Sequence, residues 1–210
     1  MKETIKQIQS LDLTDKHLAK KAKALYNQLV KILLEKYGNV DDDFDCNPIK
    51  RGAEWLDIHH IDETEMDNIA QRTNAAKKMK NAKLLDELKI FNKKERLIYA
   101  NKIEHFLLHY LIDCIQGQES IISGGPHFCW DSAIALEYFI LKQPHLIELQ
   151  KRKDFYSDIS LIEITKLYKK FIDWHGLLIP TIKSFWKTVN FCEPKDARKF
   201  KKDILSILRD

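Results

Sequence analysis

Residues 55–62 have the sequence Trp-Leu-Asp-Ile-His-His-Ile-Asp, in which two adjacent histidines lie inside an apolar run. The run is short and apolar, so it predicts a β-strand over about residues 53–61. The two imidazoles, His59 and His60, lie between Asp57 and Asp62. Because packing alone gives such a pair little use, we expect the two rings to hold a ligand together with residues from elsewhere in the chain.

A second histidine pair follows about 45 residues later. Residues 101–115 have the apolar spacing of an amphipathic helix. Within them, His105 and His109 are four residues apart and therefore share one helical face. Two imidazoles at this spacing are a common way to bind one divalent metal ion, although two half-exposed surface histidines would have the same spacing. Together the two pairs contain half of the eight histidines, which predicts one imidazole-rich site.

A zinc-protease site is disfavoured by the position of the glutamate. The HExxH motif requires a glutamate between its two histidines. In this chain Glu104 directly precedes His105, so it is rotated by about 100° around the helix axis from that histidine.

The rest of the chain is predicted to be helical. We expect helices over about 14–37, 64–88, 130–151, 158–173 and 177–190, a lysine-rich helix from residue 194, and a second strand over residues 96–100. The low numbers of glycine (6) and proline (5) also favour helices. The predicted fold is therefore mainly α with a small β-hairpin. It would comprise an N-terminal helix with an acidic loop (1–50), a central region (51–116) and a C-terminal helical region (117–210).

The composition indicates an ordinary soluble protein. Of the 210 residues, 44% are hydrophobic and 31% are charged. The four cysteines lie far apart without a CxxC pair, which favours reduced thiols over a disulfide framework or a zinc ribbon. No secretory signal or long apolar segment stands out, so we expect a cytoplasmic protein without a membrane span.

The order strand, loop, strand and helix, with two histidines at the end of the first strand, resembles the HNH (ββα-metal) endonucleases. The segment Arg-Leu-Ile-Tyr-Ala-Asn-Lys-Ile-Glu-His-Phe-Leu-Leu-His (96–109) aligns its two histidines with the last two of that family's motif. It is also similar to phage- and plasmid-borne proteins that carry strings such as HHIDE and LEHLLLH. The resemblance covers residues 53–112 and implies a ββα-metal core within 51–116, with a lysine-rich insertion at 63–94.

The resemblance implies a role for each clustered residue. His59, His105 and His109 would hold a divalent metal ion, and His60 would be the general base that takes a proton from water. Asp57, Asp62 and Glu104 are candidates for carboxylates that orient the imidazoles. Three imidazoles suit zinc, nickel, cobalt or manganese, and magnesium with added waters stays open.

The chain departs from the family pattern at two places. The central asparagine of the motif aligns with Arg96, and Asn92 or Asn101 would have to replace it from a shifted position. The cysteine pair that many members use for a second zinc ion is replaced by Asn101 and Glu104, so the sequence does not support a second metal site.

The insertion is strongly basic. Residues 72–102 contain ten lysines and arginines against three acidic residues. Such a segment is typical either of a solvated helix or of a surface that follows a phosphate backbone. Next to four clustered histidines we favour DNA binding, and the predicted contacts are Lys77, Lys78, Lys80, Lys83, Lys93, Lys94 and Arg96.

These inferences predict a metal-dependent endonuclease that hydrolyses phosphodiester bonds in DNA, most simply double-stranded DNA. Cutting both strands with one site per chain would favour a homodimer. Two alternatives stay open. One is a nucleic-acid-binding protein that keeps the fold without cleavage, and the other is a metallohydrolase acting on a small substrate.

Overall fold

The computed structural model describes residues 1–44, 56–66, 69–117, 126, 129–130, 133–134, 160–176 and 195–209. In this part of the chain the helices and strands are α1 (Lys2–Gln9), α2 (Leu18–Tyr37), β1 (Asp57–His60), α3 (Ile69–Lys78), α4 (Ala82–Leu88), β2 (Leu97–Ala100), α5 (Lys102–Gln116), α6 (Leu161–His175) and α7 (Lys195–Arg209). The described residues are therefore mainly helical with one small hairpin sheet, which confirms the predicted coarse fold class.

The two strands pair antiparallel over four residues each. Asp57 lies opposite Ala100 and His60 lies opposite Leu97, so the adjacent histidines end β1 where β2 begins. Both residues at the end of β1 are buried, as is all of β2. The first strand is shorter than predicted, and residues 53–55 lie outside the described residues.

Helix α5 begins directly after β2 because Asn101 caps it. The Asn101 side chain accepts hydrogen bonds from the backbone N–H groups of Ile103 and Glu104, and Glu104 in turn accepts from Asn101 N, which forms a capping box. The helix ends before Gly117, whose φ of 84° suits glycine. Its apolar face packs along α2, so the histidine-bearing helix is fixed to the longest helix described.

Helix α2 starts at Leu18, later than the predicted start near residue 14. The residues before Leu18 form turns that aspartate side chains stabilise. Asp12 Oδ1 accepts a hydrogen bond from Thr14 N (2.9 Å), and Asp15 Oδ1 accepts one from His17 N (2.8 Å). Such local bonds compete with helix formation.

The segment predicted to be helical over residues 64–88 is divided into two helices. The structure has a 3₁₀ turn at Ile61–Thr64, followed by α3 and α4. Between these helices, Lys80 adopts a left-handed backbone conformation with φ of 52°, and Asn81 caps α4 by accepting from Leu84 N at 3.1 Å. The break therefore has a local cause, since a left-handed residue cannot continue a right-handed helix.

The C-terminal helices join the same apolar cluster as α1, α2 and α5. Ser160 and Glu163 form a capping box at the start of α6, close to the predicted start near residue 158. The predicted helices over 130–151 and 177–190 lie largely outside the described residues. None of the helices in the described ranges has both the length and the apolar character that crossing a membrane requires.

Candidate metal centre

Three histidines from two elements meet at one point. His59 lies at the end of β1, and His105 and His109 lie one turn apart on α5. One ring nitrogen from each residue lies within 4.8 Å of the other two. The ring centroids are 4.8 to 5.2 Å apart. The two histidine pairs singled out in the sequence thus contribute to one cluster, here called the imidazole cluster: His59, His105 and His109.

The tautomer of His59 follows from its hydrogen bonds. Tyr26 donates its hydroxyl hydrogen to the carbonyl oxygen of Ile61 (2.9 Å), so its oxygen must accept from His59 Nε2 at 3.0 Å. Burial, Glu63 and Asp62 raise the pKa of Tyr26, so the hydroxyl keeps its hydrogen. His59 therefore carries its proton on Nε2 and a lone pair on Nδ1.

That lone pair is buried without a protein donor. His59 is 1% exposed, and its Nδ1 has no hydrogen-bond partner among the described residues. Burial, followed by the neighbouring histidines, lowers the pKa of His59 well below its ordinary value, so the ring is neutral. A buried neutral imidazole with an unused lone pair has the state that metal coordination requires.

His105 is oriented by a carboxylate. Its Nδ1 lies 3.0 Å from Asp57 Oδ2, and since the carboxylate can only accept, Nδ1 carries the hydrogen. Lys102 Nζ holds the same carboxylate at 2.6 and 2.8 Å. This places Asp57 where the sequence expected an orienting carboxylate, and it turns His105 Nε2 toward His109 Nε2 at 3.1 Å.

The contact between His105 and His109 contains a proton. Burial acts to lower the pKa of His105, but the buried thiol of Cys129 and the Asp57 carboxylate outweigh it and raise the pKa to about 10. Burial lowers the pKa of His109 well below its ordinary value. At neutral pH His105 Nε2 therefore donates to His109 Nε2, and a metal ion would displace this proton.

A chain of hydrogen bonds fixes the orientation of His60. The Thr73 hydroxyl donates to Ile69 O (2.9 Å) and so accepts from Asn92 Nδ2 at 3.1 Å. This turns Asn92 Oδ1 toward His60 Nε2 at 2.9 Å, so Nε2 carries the hydrogen and Nδ1 the lone pair. Burial lowers the pKa of His60, which keeps the ring neutral. Asn92, considered from the sequence only as a shifted substitute, is the amide in contact with His60.

The other two predicted carboxylates have partners outside the imidazole cluster. Asp62 binds Arg96 Nη1 at 2.7 Å. Glu104 binds Lys36 Nζ at 2.7 Å, the Tyr37 hydroxyl at 2.9 Å and Asn101 N at 2.9 Å. The three contacts of Glu104 close the cap of α5 and attach α2 to α5, so they give no support to a catalytic role for Glu104.

The predicted DNA contacts fall into two groups. Lys93 is half-exposed and bound to Asp43 at 2.7 Å, and Arg96 is bound to Asp62. The remaining predicted contacts are exposed: Lys77, Lys78, Lys80, Lys83 and Lys94. Lys77, Lys78, Lys80 and Lys83 lie at the junction of α3 and α4, and Lys94 lies in the turn before β2.

Four residues at the site were missed from the sequence. Tyr26 and Thr73 are supports contributed by distant segments, and Cys129 lies against His105. Glu63 follows His59 by four residues, so its spacing was a signal that sequence reasoning did not use.

Comparison of the chain with protein-family models, curated proteins and solved structures finds no match.

Proposed function

We propose that the chain is a metal-dependent endonuclease with a ββα-metal site that hydrolyses phosphodiester bonds in DNA. The observation that carries the proposal is that two adjacent histidines, each with its hydrogen fixed on Nε2 and its lone pair on Nδ1, have different surroundings. His59 presents a buried lone pair to His105 and His109, while Asn92 holds His60 with a separate lone pair on Nδ1. One histidine is thus prepared for a metal ion and its neighbour for a proton.

The residues present fit a divalent metal ion. Three imidazole nitrogens converge, one of them buried without a donor, and Asp57 orients His105 from behind. When bound, the ion supplies positive charge next to the scissile phosphate and the departing oxygen.

His60 supplies the base in the proposed reaction. Its neutral Nδ1 accepts a proton from a water molecule, whose oxygen forms the new bond to phosphorus. The bond from phosphorus to the 3′ oxygen breaks, and this oxygen takes a proton from a solvent water, which leaves 5′-phosphate and 3′-hydroxyl ends. Asn92 is a positioning residue, because its amide oxygen fixes which nitrogen of His60 is free to accept.

The exposed lysines support DNA as the substrate. A phosphate backbone is attracted to a basic surface without regard to sequence. Lys78 and Lys83 are exposed on the same insertion that contributes Thr73 and Asn92 to the support of His60. Arg96 stands where the family motif has its asparagine, which would favour a binding protein without cleavage, but Asn92 makes the amide contact with His60 instead.

Plasmid nicking tests the proposal. Supercoiled DNA is incubated with the wild type, with His60→Ala and with His17→Ala, a matched change of an exposed histidine. Each protein is assayed with Mn²⁺, with Mg²⁺ and with a chelator. We expect metal-dependent nicking by the wild type and His17→Ala, and loss of nicking in His60→Ala with metal binding retained. Intact plasmid with a metal-loaded wild type that binds DNA would refute the nuclease.

A further inference from the structure

The turn between α3 and α4 forms a basic corner that projects into solvent. All seven residues at positions 77–83 are exposed. Four of them are lysines and none is acidic, so this segment, here called the α3–α4 corner, has a formal charge of +4. A surface of this charge attracts the phosphate backbone of a nucleic acid.

An apolar side chain lies in the middle of this charge. Met79 is 66% exposed, which is more than any other large hydrophobic residue that the structure describes. One exposed apolar residue is ordinary on a protein surface, so its exposure alone indicates no function. Met79 differs in its position, because it lies between Lys78 and Lys80 on a turn whose backbone is fixed.

Hydrogen bonds fix the backbone on both sides of Met79. Lys80 N donates to Lys77 O at 3.1 Å. Asn81 N donates to Ala76 O at 2.9 Å, and these two bonds are the pair that defines a Schellman motif. Asn81 also caps α4 with its side chain, so α4 follows without a flexible linker. A partner that binds Met79 therefore orders little additional backbone.

The residue after Met79 gives a second indication that side chains of this turn have a use. Lys80 has φ of 52°, and glycine is the usual residue at this place in a Schellman motif. A lysine here keeps a positive charge at the cost of backbone strain. Strain of this kind clusters at sites that hold a ligand. The strained lysine thus places a charge directly beside the exposed methionine.

We propose that Met79 is an apolar wedge that enters a base step of duplex DNA, while lysines of the α3–α4 corner contact the flanking phosphates. Methionine is one of the side chains that proteins insert between bases to kink a duplex, and its flexible thioether adapts to an irregular gap. A lipid surface is a poorer partner, because α3 buries Ile69, Thr73 and Ala76 and offers no apolar face to a membrane. This inference rests on DNA as the partner in the proposed function, but not on the metal ion or on cleavage.

Duplex binding in the presence of a chelator tests the wedge without cutting a strand. Wild type, Met79→Ala, Met79→Leu and Ile90→Ala are titrated by fluorescence anisotropy onto a labelled duplex and onto the same duplex with one mismatched base pair. Ile90 is the matched control, because it is a 55% exposed apolar residue of the same insertion outside the corner. A mismatch weakens stacking in advance, so a wedge enters it at lower cost, and we expect the wild type to prefer it by about three- to tenfold. Met79→Leu and Ile90→Ala should keep this preference, and Met79→Ala should lose it.

Two further measurements distinguish a wedge from a phosphate contact. Met79→Ala removes no charge, so the slope of log affinity against log salt concentration should stay at the wild-type value. Energy transfer between dyes at the two ends of the intact duplex should show a bend with the wild type that Met79→Ala lacks.

Equal mismatch preference and equal bending in the wild type and Met79→Ala would overturn the proposal. Nicking by the wild type would stand in that case. A wild type that bends DNA through Met79 but nicks no plasmid would refute only the nuclease. A wild type that binds no duplex, whether or not it binds phosphatidylserine vesicles, would overturn the wedge together with DNA as the substrate.

Discussion

At the scale of single residues, the site depends on which nitrogen of each ring carries a proton. Asn92 decides this for His60 and Tyr26 decides it for His59. Both rings carry the hydrogen on Nε2, and they differ because His59 belongs to the imidazole cluster whereas His60 does not. A change of partner should therefore change the pH dependence of the reaction before it changes the fold.

Replacing Asn92 by Asp tests this point. His60 must be neutral to accept a proton, so nicking falls as the pH drops through its pKa, which burial holds below the ordinary value. An aspartate beside Nε2 would stabilise the imidazolium and raise the pKa of His60. The acidic limb of the nicking rate should therefore move to higher pH in Asn92→Asp. Asn74→Asp, which adds the same charge on the exposed surface of α3, should leave the limb in place. An unmoved limb in Asn92→Asp would show that His60 is not the base.

The sequence revealed the histidines of the site but only part of their surroundings. Four histidines in two tight clusters stand out in any single sequence, and the spacing of His105 and His109 predicts their shared face. Asn92 and Tyr26 do not stand out, because an asparagine and a tyrosine are common and their importance comes from contacts across distant segments. Glu63 differs, since its distance of four residues from His59 was visible and was not used.

At the scale of elements, Glu104 connects α2 to α5. Its carboxylate closes the cap of α5 and binds Lys36 and Tyr37 of α2. Glu104→Gln keeps the shape of the side chain but loses its charge. We expect it to lower the free energy of unfolding by about 1–3 kcal/mol. The loss should be smaller than that for a fully buried ion pair, because Lys36 is partly exposed. Urea denaturation measures this, with the exposed Glu95→Gln as control. A large fall in metal affinity with unchanged stability would instead assign Glu104 to the metal site.

The break between α3 and α4 allows a second prediction at this scale. Lys80 has φ of 52°, a conformation that costs a residue with a side chain about 1 kcal/mol. Lys80→Gly should therefore stabilise the protein by roughly 0.5–1 kcal/mol in urea denaturation. Lys78→Gly, in the last turn of α3, should destabilise it by a similar amount. Stability changes of opposite sign in the two variants would distinguish a turn residue from a helical one. Changes of the same sign would contradict the break between α3 and α4.

The elements were predicted well where one sequence signal dominates. The apolar stripe of α5 identified that helix to within a residue or two. Helix α2 and the insertion were predicted less well, because turns formed by Asp12, Asp15 and Lys80 override the helical pattern. Such turns depend on side-chain bonds and on one left-handed residue, neither of which hydrophobic spacing reports.

At the scale of the whole molecule, the basic insertion should determine how binding to DNA depends on salt. Each lysine that contacts a phosphate adds about 0.9 to the slope of log affinity against log salt concentration. Lys78→Gln with Lys83→Gln should lower the slope by about 2. Lys93→Gln should change it less, because Lys93 is already bound to Asp43. Fluorescence anisotropy with a labelled duplex measures the slope for each variant. An equal change per lysine in the two variants would show that the exposure of a lysine does not determine whether it contacts DNA.

The metal site should also contribute to global stability, because it joins segments that are distant in the sequence. The imidazole cluster links β1 to α5, and α5 packs against α2 and α6. An ion that binds only the folded state at 100 times its Kd adds about 2.7 kcal/mol of stability. In a protein of this size that raises Tm by roughly 5–10 °C. We therefore expect a chelator to lower Tm by that amount, as measured by calorimetry.

Two variants separate this effect from a general effect of the chelator. His105→Ala with His109→Ala removes two of the three imidazoles, so its Tm should not respond to metal or chelator. Lys78→Gln with Lys83→Gln leaves the imidazole cluster intact and should respond as the wild type does. If the wild type showed no response while binding metal tightly, the ion would have to bind the unfolded chain equally well, since stabilisation depends on the difference between the two affinities. A cluster that is assembled only by folding, from β1 and α5, would then not be the place where the metal binds.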